Sequence, residues 1–349
     1  MKILVLWADP KSKNLGSQML AKGIQLLIEN MDKNVEIEFF SHNQIQEIYN
    51  GNWYTFQGLN RICKLFSGFD LAIDMGDGDS FTLNYGIKRF LKLSILRIIA
   101  GLKCQKLILG PQSIGQINEI ALLLFAKFTM IHVSAVAVRD LESLKNLQKL
   151  FRGPHVLSSD VSWIIPTNVT SNKNSKCLIN LNGLFQEEHL GRSNNTFKLS
   201  IDNLAIALGI NGFTFDFLNH VQVDGNQEND SSWEDFIVTK FPSSIIHSPL
   251  SFYEARNVIA KYDITVGTRY HFCLNSVQVG IPCIPIVYSN KFKSVYHNEK
   301  DLTSWSDLIS VCEWNKLLKS YSSLDLKDNR RNQELLLNNF TELLSEYLK

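Results

Sequence analysis

The sequence is short of charge of one sign, of paired cysteines and of long apolar runs, and each shortage excludes a class of protein. Its 349 residues carry 35 Lys and Arg against 34 Asp and Glu, a formal net charge of +1. No overall field recruits nucleic acid or a strongly acidic partner, so nucleic acid is not expected as a ligand. The six cysteines, Cys63, Cys104, Cys177, Cys273, Cys283 and Cys312, form no C-x-x-C pair and no Cys/His spacing of a zinc site. They read as reduced, mostly buried thiols, and no metal centre is expected. No run approaches the ~20 apolar residues of a membrane span. The opening "MKILVLWADP" holds six apolar residues before Asp9-Pro10. That is too few for a secretory leader, so a first strand is expected there. N-x-S/T triplets such as Asn168-Val-Thr then have no secretory context, and a cytoplasmic protein is expected. There is no G-x-S-x-G elbow, no H-E-x-x-H and no convincing carboxylate pair, which leaves Ser113 without a triad context.

What is present is a globular composition, 45% apolar and 20% charged, in a chain longer than one core usually holds. Short apolar runs alternate with amphipathic segments of helix length, the pattern of βαβ units and parallel sheets. In the first half, strands are expected at 2–7, 35–40, 71–75, 106–110, 135–139 and 155–159, with helices near 16–30, 84–103, 116–131 and 141–150. The polar stretch 166–175, "PTNVTSNKNS", reads as a linker. The pattern restarts at "KCLINLN", followed by strands "GFTFDF", "SSIIHS", "DITVG" and "CIPIVY" and helices near 198–209, 232–240, 251–261 and 269–279. Residues 221–235 read as a long surface loop. A last helix near 328–348 carries a stripe including Leu335, Leu336, Phe340, Leu343, Leu344 and Leu348. The expected fold is α/β, with Rossmann-like domains at 1–167 and 176–327 facing across a cleft and a C-terminal helix at 328–349 closing it. The segment 86–103, "GIKRFLKLSILRIIAGLK", reads as a domain helix with solvated Lys and Arg, a membrane-surface helix being the alternative.

Ligands of open parallel sheets bind at the carboxyl ends of strands, and four such ends are unusual. Asn14-Leu15-Gly16-Ser17 precedes the first helix, where Gly permits close approach and helix N–H groups favour an anion. Gly76-Asp77-Gly78-Asp79 is not a dinucleotide fingerprint, because its aspartates would repel a pyrophosphate, yet they suit sugar hydroxyls. Gly110-Pro111 is followed by the neutral hydrogen-bonding groups of Gln112 and Ser113, and Arg139 ends "AVAVR", where it either clamps an anion or pairs with Asp140. In "DITVGTRYHF", Thr268 reads as an N-cap, with Arg269 and His271 in the first helical turn. A cation there opposes the helix dipole unless an anion binds between them, and Lys291 adds charge to the same rim.

Together these motifs resemble the polysaccharide pyruvyl transferase family. Its R-x-H signature ahead of a G-[IV]-P strand is similar to Gly267-Thr-Arg269-Tyr-His271 and Gly280-Ile281-Pro282, with Tyr288 beyond. Val138-Arg139-Asp140-Leu-Glu-Ser143, Gly76-Asp-Gly78-Asp-Ser80, Gly110-Pro-Gln112-Ser-Ile-Gly115 and Asn14-Leu-Gly16-Ser17 match further family segments in order. Ser17 departs from the usual acidic residue, and Asp77 interrupts a run that is often glycine. The resemblance implies a glycosyltransferase-B-like pair of domains, with the acceptor on the first and the donor on the second. It also implies transfer of the enolpyruvyl group of phosphoenolpyruvate to a sugar, usually as a cyclic ketal. His271 and Arg269 would be catalytic, no metal or nucleotide cofactor is needed, and the partners would be phosphoenolpyruvate and a glycan. A lipid-linked acceptor would bring peripheral membrane contact. A nucleotide-sugar glycosyltransferase and a non-catalytic sugar- or anion-binding subunit stay open as alternatives, as does the oligomeric state.

Overall fold

The computed structural model describes residues 1–41, 54–78, 81–83, 86–167, 175–186, 194–223, 225, 228–296, 303–304, 308–322, 324 and 326–348. Asp79, Ser80, Asn168 and most of the expected linker fall outside them, as does part of the 221–235 segment. The chain divides into two compact units. The first comprises Met1–Lys11, Met19–Ile165 and Arg331–Lys349, and the second Ser12–Gln18 and Pro166–Arg330.

The first unit is built on six parallel strands: β1 (Lys2–Leu6), β2 (Glu36–Phe40), β3 (Leu71–Asp74), β4 (Lys106–Gln112), β5 (Ala135–Val138) and β6 (His155–Leu157). They lie in the order β2-β1-β3-β4-β5-β6, so the winding reverses between β1 and β3. Central strands such as "LAID" and "AVAV" are apolar without alternation because both their faces are buried. Helices α1 (Leu15–Met31), α2 (Phe56–Phe66), α3 (Ile87–Lys103), α4 (Ile120–Ile131) and α5 (Leu141–Leu150) connect them. Asp140 starts α5 by accepting a hydrogen bond from Ser143 N at 2.7 Å. Helix α2 was not expected, although Leu59, Ile62 and Phe66 are spaced for one face; Thr55 caps it through Gly58 N.

The second unit repeats the plan with β7 (Lys176–Asn180), β8 (Thr214–Leu218), β9 (Ile246–His247), β10 (Ile264–Gly267), β11 (Cys283–Val287) and β12 (Thr303–Ser304). The order is β12-β11-β10-β7-β8-β9, all pairs parallel, and the reversal lies between β7 and β10. Its helices are α6 (Asn194–Ile210), α7 (Glu234–Lys240), α8 (Phe252–Ile259), α9 (Tyr270–Gln278) and α10 (Val311–Ser322), the last not expected from sequence. Helix α11 (Lys327–Ser345) follows, and its buried stripe runs through Gln333, Leu337, Phe340 and Leu344. Leu335, expected in that stripe, is exposed, because the i, i+3, i+4 path to Phe340 passes through Leu337 instead.

Helix α3 corrects a second expectation, that its Lys and Arg are all solvated. Arg97 is fully buried, and its Nε meets Asp74 Oδ2 at 2.5 Å beneath the end of β3. Its Nη2 also donates to Gln112 Oε1 at 3.3 Å, and its guanidinium lies 4.9 Å from the centre of the Phe81 ring. An aspartate at the end of a fully buried strand requires a cation, and α3 supplies it. Removing one partner strands the other charge. Asp74→Asn is expected to lower unfolding stability by roughly 3–5 kcal/mol in urea titration, and Asp74→Leu with Arg97→Met to recover much of that loss.

Candidate active site

The winding reversal between β7 and β10 is where an open α/β sheet leaves a crevice at its strand ends. Asn180 ends β7 and Gly267 ends β10, and the two are paired across the ladder. Asn180 Oδ1 accepts from Arg269 N at 3.0 Å, while its Nδ2 donates to Leu218 O at 3.0 Å and to Asp230 Oδ2 at 2.9 Å. Thr268 is not the N-cap: its Oγ1 donates to Asn180 O at 2.8 Å and accepts from Asn182 N at 2.7 Å, closing the reversal. Arg269 takes the cap position with extended φ −102° and ψ 128°, and α9 begins at Tyr270.

Asp230, in the expected surface loop, is the hub of the region. Its buried carboxylate accepts six hydrogen bonds. They come from Asn180 Nδ2, the backbone N–H groups of Gly183, His220 and Val221, and Arg269 Nε and Nη2. Arg269 Nη2 also donates to Glu228 O, and Nη1 lies 3.5 Å from Glu228 Oε2. Burial works against the guanidinium charge, but Asp230 and then Glu228 outweigh it and hold Arg269 above its usual value. The anion that the cation at the head of α9 calls for is thus supplied from within the chain.

His271 is the second residue of α9, half-buried, and packs over Gly16. A Cβ on Gly16 would lie 2.5 Å from His271 Nδ1, so only glycine leaves room for the imidazole. Gly16 is held there by Asn14, whose Oδ1 accepts from Gly16 N at 3.0 Å. Leu15 N donates to His220 O at 3.1 Å and Gln222 N to Lys13 O at 3.0 Å, joining this turn to the strand-end segment that leads to Asp230. Asn14 and Gly16, expected in the first domain, therefore belong to the second unit.

His220, not singled out in the sequence, lies two residues beyond the carboxyl end of β8, the kind of strand end at which ligands of open sheets bind. It is buried, its ring meets Phe272 edge-on at 6.1 Å, and its Nε2 has no partner among the described residues. Burial, reinforced by His271 and then Arg269, holds its imidazole well below the usual histidine value. Lys291, expected to add charge to the rim of this site, is buried with its Nζ 4.8 Å from the Tyr288 ring centre. Its carbonyl accepts from Ser294 Oγ at 2.7 Å, and that hydroxyl is 3.1 Å from Tyr270 Oη.

The remaining expected residues form a separate cluster in the first unit, at the ends of β3, β4 and β5. Gly76, Asp77 and Gly78 make a tight turn in the left-handed region, with φ of 57°, 46° and 84°. A Cβ on Gly76 would lie 2.2 Å from Gln112 Oε1, and one on Gly78 3.0 Å from Arg139 Nη1. Asp77 meets Arg89 at 3.1 Å. Arg139 is buried and does not pair with Asp140; its Nη1 meets Asp160 Oδ2 at 3.0 Å and its Nε donates to Ser113 Oγ at 3.0 Å. Asp140 is occupied in capping α5 and in accepting from Ser113 Oγ at 3.0 Å.

A sequence profile described as polysaccharide pyruvyl transferase matches residues 14–290, a span that includes both clusters. No curated protein matches the chain in sequence. Among solved structures, UDP-GlcNAc 2-epimerase from Methanocaldococcus jannaschii is similar in fold. It aligns with a TM-score of 0.59 at 10% identity, over 99% of this chain and 100% of that one. The UDP-GlcNAc 2-epimerase from Neisseria meningitidis aligns with a TM-score of 0.54 at 10% identity, over 100% and 99%. At such identity the likeness concerns the α/β fold of two parallel sheets alone.

Acid sensitivity tests the burial of His220. Below about pH 6.5, the ordinary histidine value, the unfolded chain takes up a proton that neutral His220 refuses in the fold. The unfolded state then binds more protons, and stability falls as pH falls. Melting temperature should drop on the acid side of neutrality in the native protein and less steeply in His220→Asn. Parallel profiles would show that His220 titrates like an exposed histidine.

Proposed function

The chain belongs to the polysaccharide pyruvyl transferase family, and from that premise we propose that it moves the enolpyruvyl group of phosphoenolpyruvate onto a sugar. The acceptor is a cell-surface polysaccharide or its lipid-linked precursor, and the product is a cyclic ketal on two hydroxyls. The observation that carries this reading is His271, set over Gly16 on the first turn of α9, beside buried Arg269 and the buried His220.

Phosphoenolpyruvate carries phosphate and carboxylate, and the head of α9 offers the positive end of a helix dipole to one of them. Arg269 keeps its charge through Asp230, and its 3.5 Å contact with the Glu228 carboxylate is the loosest of its set. A donor phosphate would replace Glu228 there while Asp230 continues to fix Nε and Nη2. Imidazole is the side-chain class that exchanges protons near neutral pH, so His271 is assigned the proton transfer. Burial keeps His220 neutral, so the proton transfer is assigned to His271 alone.

His271 delivers that proton to the methylene carbon, which becomes a methyl group and leaves an oxocarbenium-like centre at C2. One sugar hydroxyl adds to C2 and returns its proton to His271. The C2–O bond to phosphate then breaks as the second hydroxyl adds, and the second hydroxyl proton leaves with phosphate. One diol and one phosphoenolpyruvate give one ketal and one inorganic phosphate, with no redox change.

Acceptor-dependent phosphate release from phosphoenolpyruvate, screened against candidate glycans, tests the assignment. His271→Ala is expected to lose about 100-fold or more in rate with the fold intact. Gly16→Ala should fall nearly as far, because its Cβ occupies the space of His271 Nδ1. Arg269→Lys, which keeps charge but not the fork held by Asp230, should raise KM for the donor. Undiminished turnover in His271→Ala would sink the proton-transfer role. Turnover with a nucleotide sugar in place of phosphoenolpyruvate would replace the reaction by glycosyl transfer.

A further inference from the structure

We infer that the outer face of α4, in the first unit, is a docking surface for an anionic lipid bilayer. The helix reads "IALLLFAKFTMI", apolar nearly all round. Its inner side is accounted for: Ala126, Thr129 and Met130 are buried, and Leu122, Leu123 and Phe125 pack on the core. Its outer side is not. Ile120 is 75% exposed, Leu124 61%, Phe128 50% and Ile131 73%. At 100° per residue these four fall within about 80° of the circumference and form a line about 16 Å long. Single exposed apolar residues are ordinary, but a continuous line of large ones marks an interaction site.

Helix α3 extends the surface. Phe90 of α3 meets Phe125 of α4 edge-on at 6.4 Å, and a Cβ on Gly101 would lie 2.3 Å from the carbonyl oxygen of His132, just past α4. The two helices therefore run side by side, and Leu102, 62% exposed, and exposed Lys103 follow at the same end. The apolar face of α3 itself is turned inward through Phe90, Leu93, Leu96 and Ala100, so the amphipathic pattern of 86–103 is spent on the core. The membrane-facing element is its neighbour.

Charge selects the occupant. Between Ile87 and Ile131 the sequence has seven basic residues and one acidic residue, Glu119. Arg89 and Arg97 are committed to Asp77 and Asp74, while Lys88, Lys103 and Lys127 are exposed. Lys127 lies along the edge of the apolar line itself. Pairing two copies through this face would bring two such basic segments together, whereas anionic headgroups neutralise them. The twelve residues of α4 span about 18 Å, short of a bilayer core, and no described helix is long and apolar enough to cross a membrane. The helix would lie in the interface, with its apolar line at the acyl boundary and its lysines among the headgroups.

This surface stands apart from the pyruvyl reading, and its test needs no substrate. The full chain is sedimented with vesicles of phosphatidylcholine alone and of phosphatidylcholine mixed equally with phosphatidylglycerol. The native protein should bind the mixed vesicles, lose most binding in high salt, and bind pure phosphatidylcholine weakly. Leu124→Asp with Phe128→Asp should lower partitioning by about tenfold or more, with an unchanged circular dichroism spectrum. Leu124→Asp alone, at a position outside the core, should give an intermediate loss. Equal binding by native and substituted proteins, or none by the native protein, overturns the proposal. So does a dimer in light scattering that these same substitutions dissociate, because the face would then belong to a second copy.

Discussion

The second unit depends on one buried carboxylate. Asp230 gathers donors from the end of β7, the segment beyond β8, the turn at Gly183 and the cap of α9. A buried charge is tolerable only when paired and fully hydrogen-bonded, and six donors with one guanidinium meet that condition. The converse constraint is as strong. Arg269 is buried at the positive end of a helix, which disfavours its charge on two counts, and Asp230 is what keeps it ionised there. Through His220 N and Leu15 N the same network fixes the glycine turn that leaves room for His271.

The first unit solves a related problem in a related way. Asp74 ends β3 beside the winding reversal, Arg97 reaches it from the following helix, and Gln112 from the next strand closes over both. Each unit thus places a buried ion pair below a glycine-bearing turn at the carboxyl edge of its sheet. The polar atoms above that edge are then held by side chains with no freedom of their own, which is the condition a chemical site requires.

The alternation of apolar runs and amphipathic segments made the strand ends legible, because buried parallel strands leave uninterrupted apolar runs. "DITVG" and "LAIDM" end where β10 and β3 end, to within a residue. The unusual residues at those ends, Arg269, His271, Gly76, Gln112 and Arg139, proved to be the ones that tertiary structure gathers into two clusters. What was not legible is what each cation meets. Asp230 lies 39 residues from Arg269 in sequence and Asp160 lies 21 from Arg139, inside stretches without periodicity, so no local rule links them. His220 stands two residues past β8, where a strand end was legible, whereas the membership of Ser12–Gln18 in the second unit rests on long-range contacts alone. Helix α4 shows a different limit. Its composition reveals an apolar helix, but which of its sides faces the core is decided only by what packs against it.

The central claim is that the head of α9 takes a small three-carbon phosphate ester and not a nucleotide. Calorimetric titration of the native protein with phosphoenolpyruvate and, separately, with a uridine diphosphate addresses this most directly. The account predicts saturable heat with phosphoenolpyruvate, weakened in high salt and in Arg269→Lys, and none with the nucleotide. Saturable binding of the nucleotide with no response to phosphoenolpyruvate would contradict it.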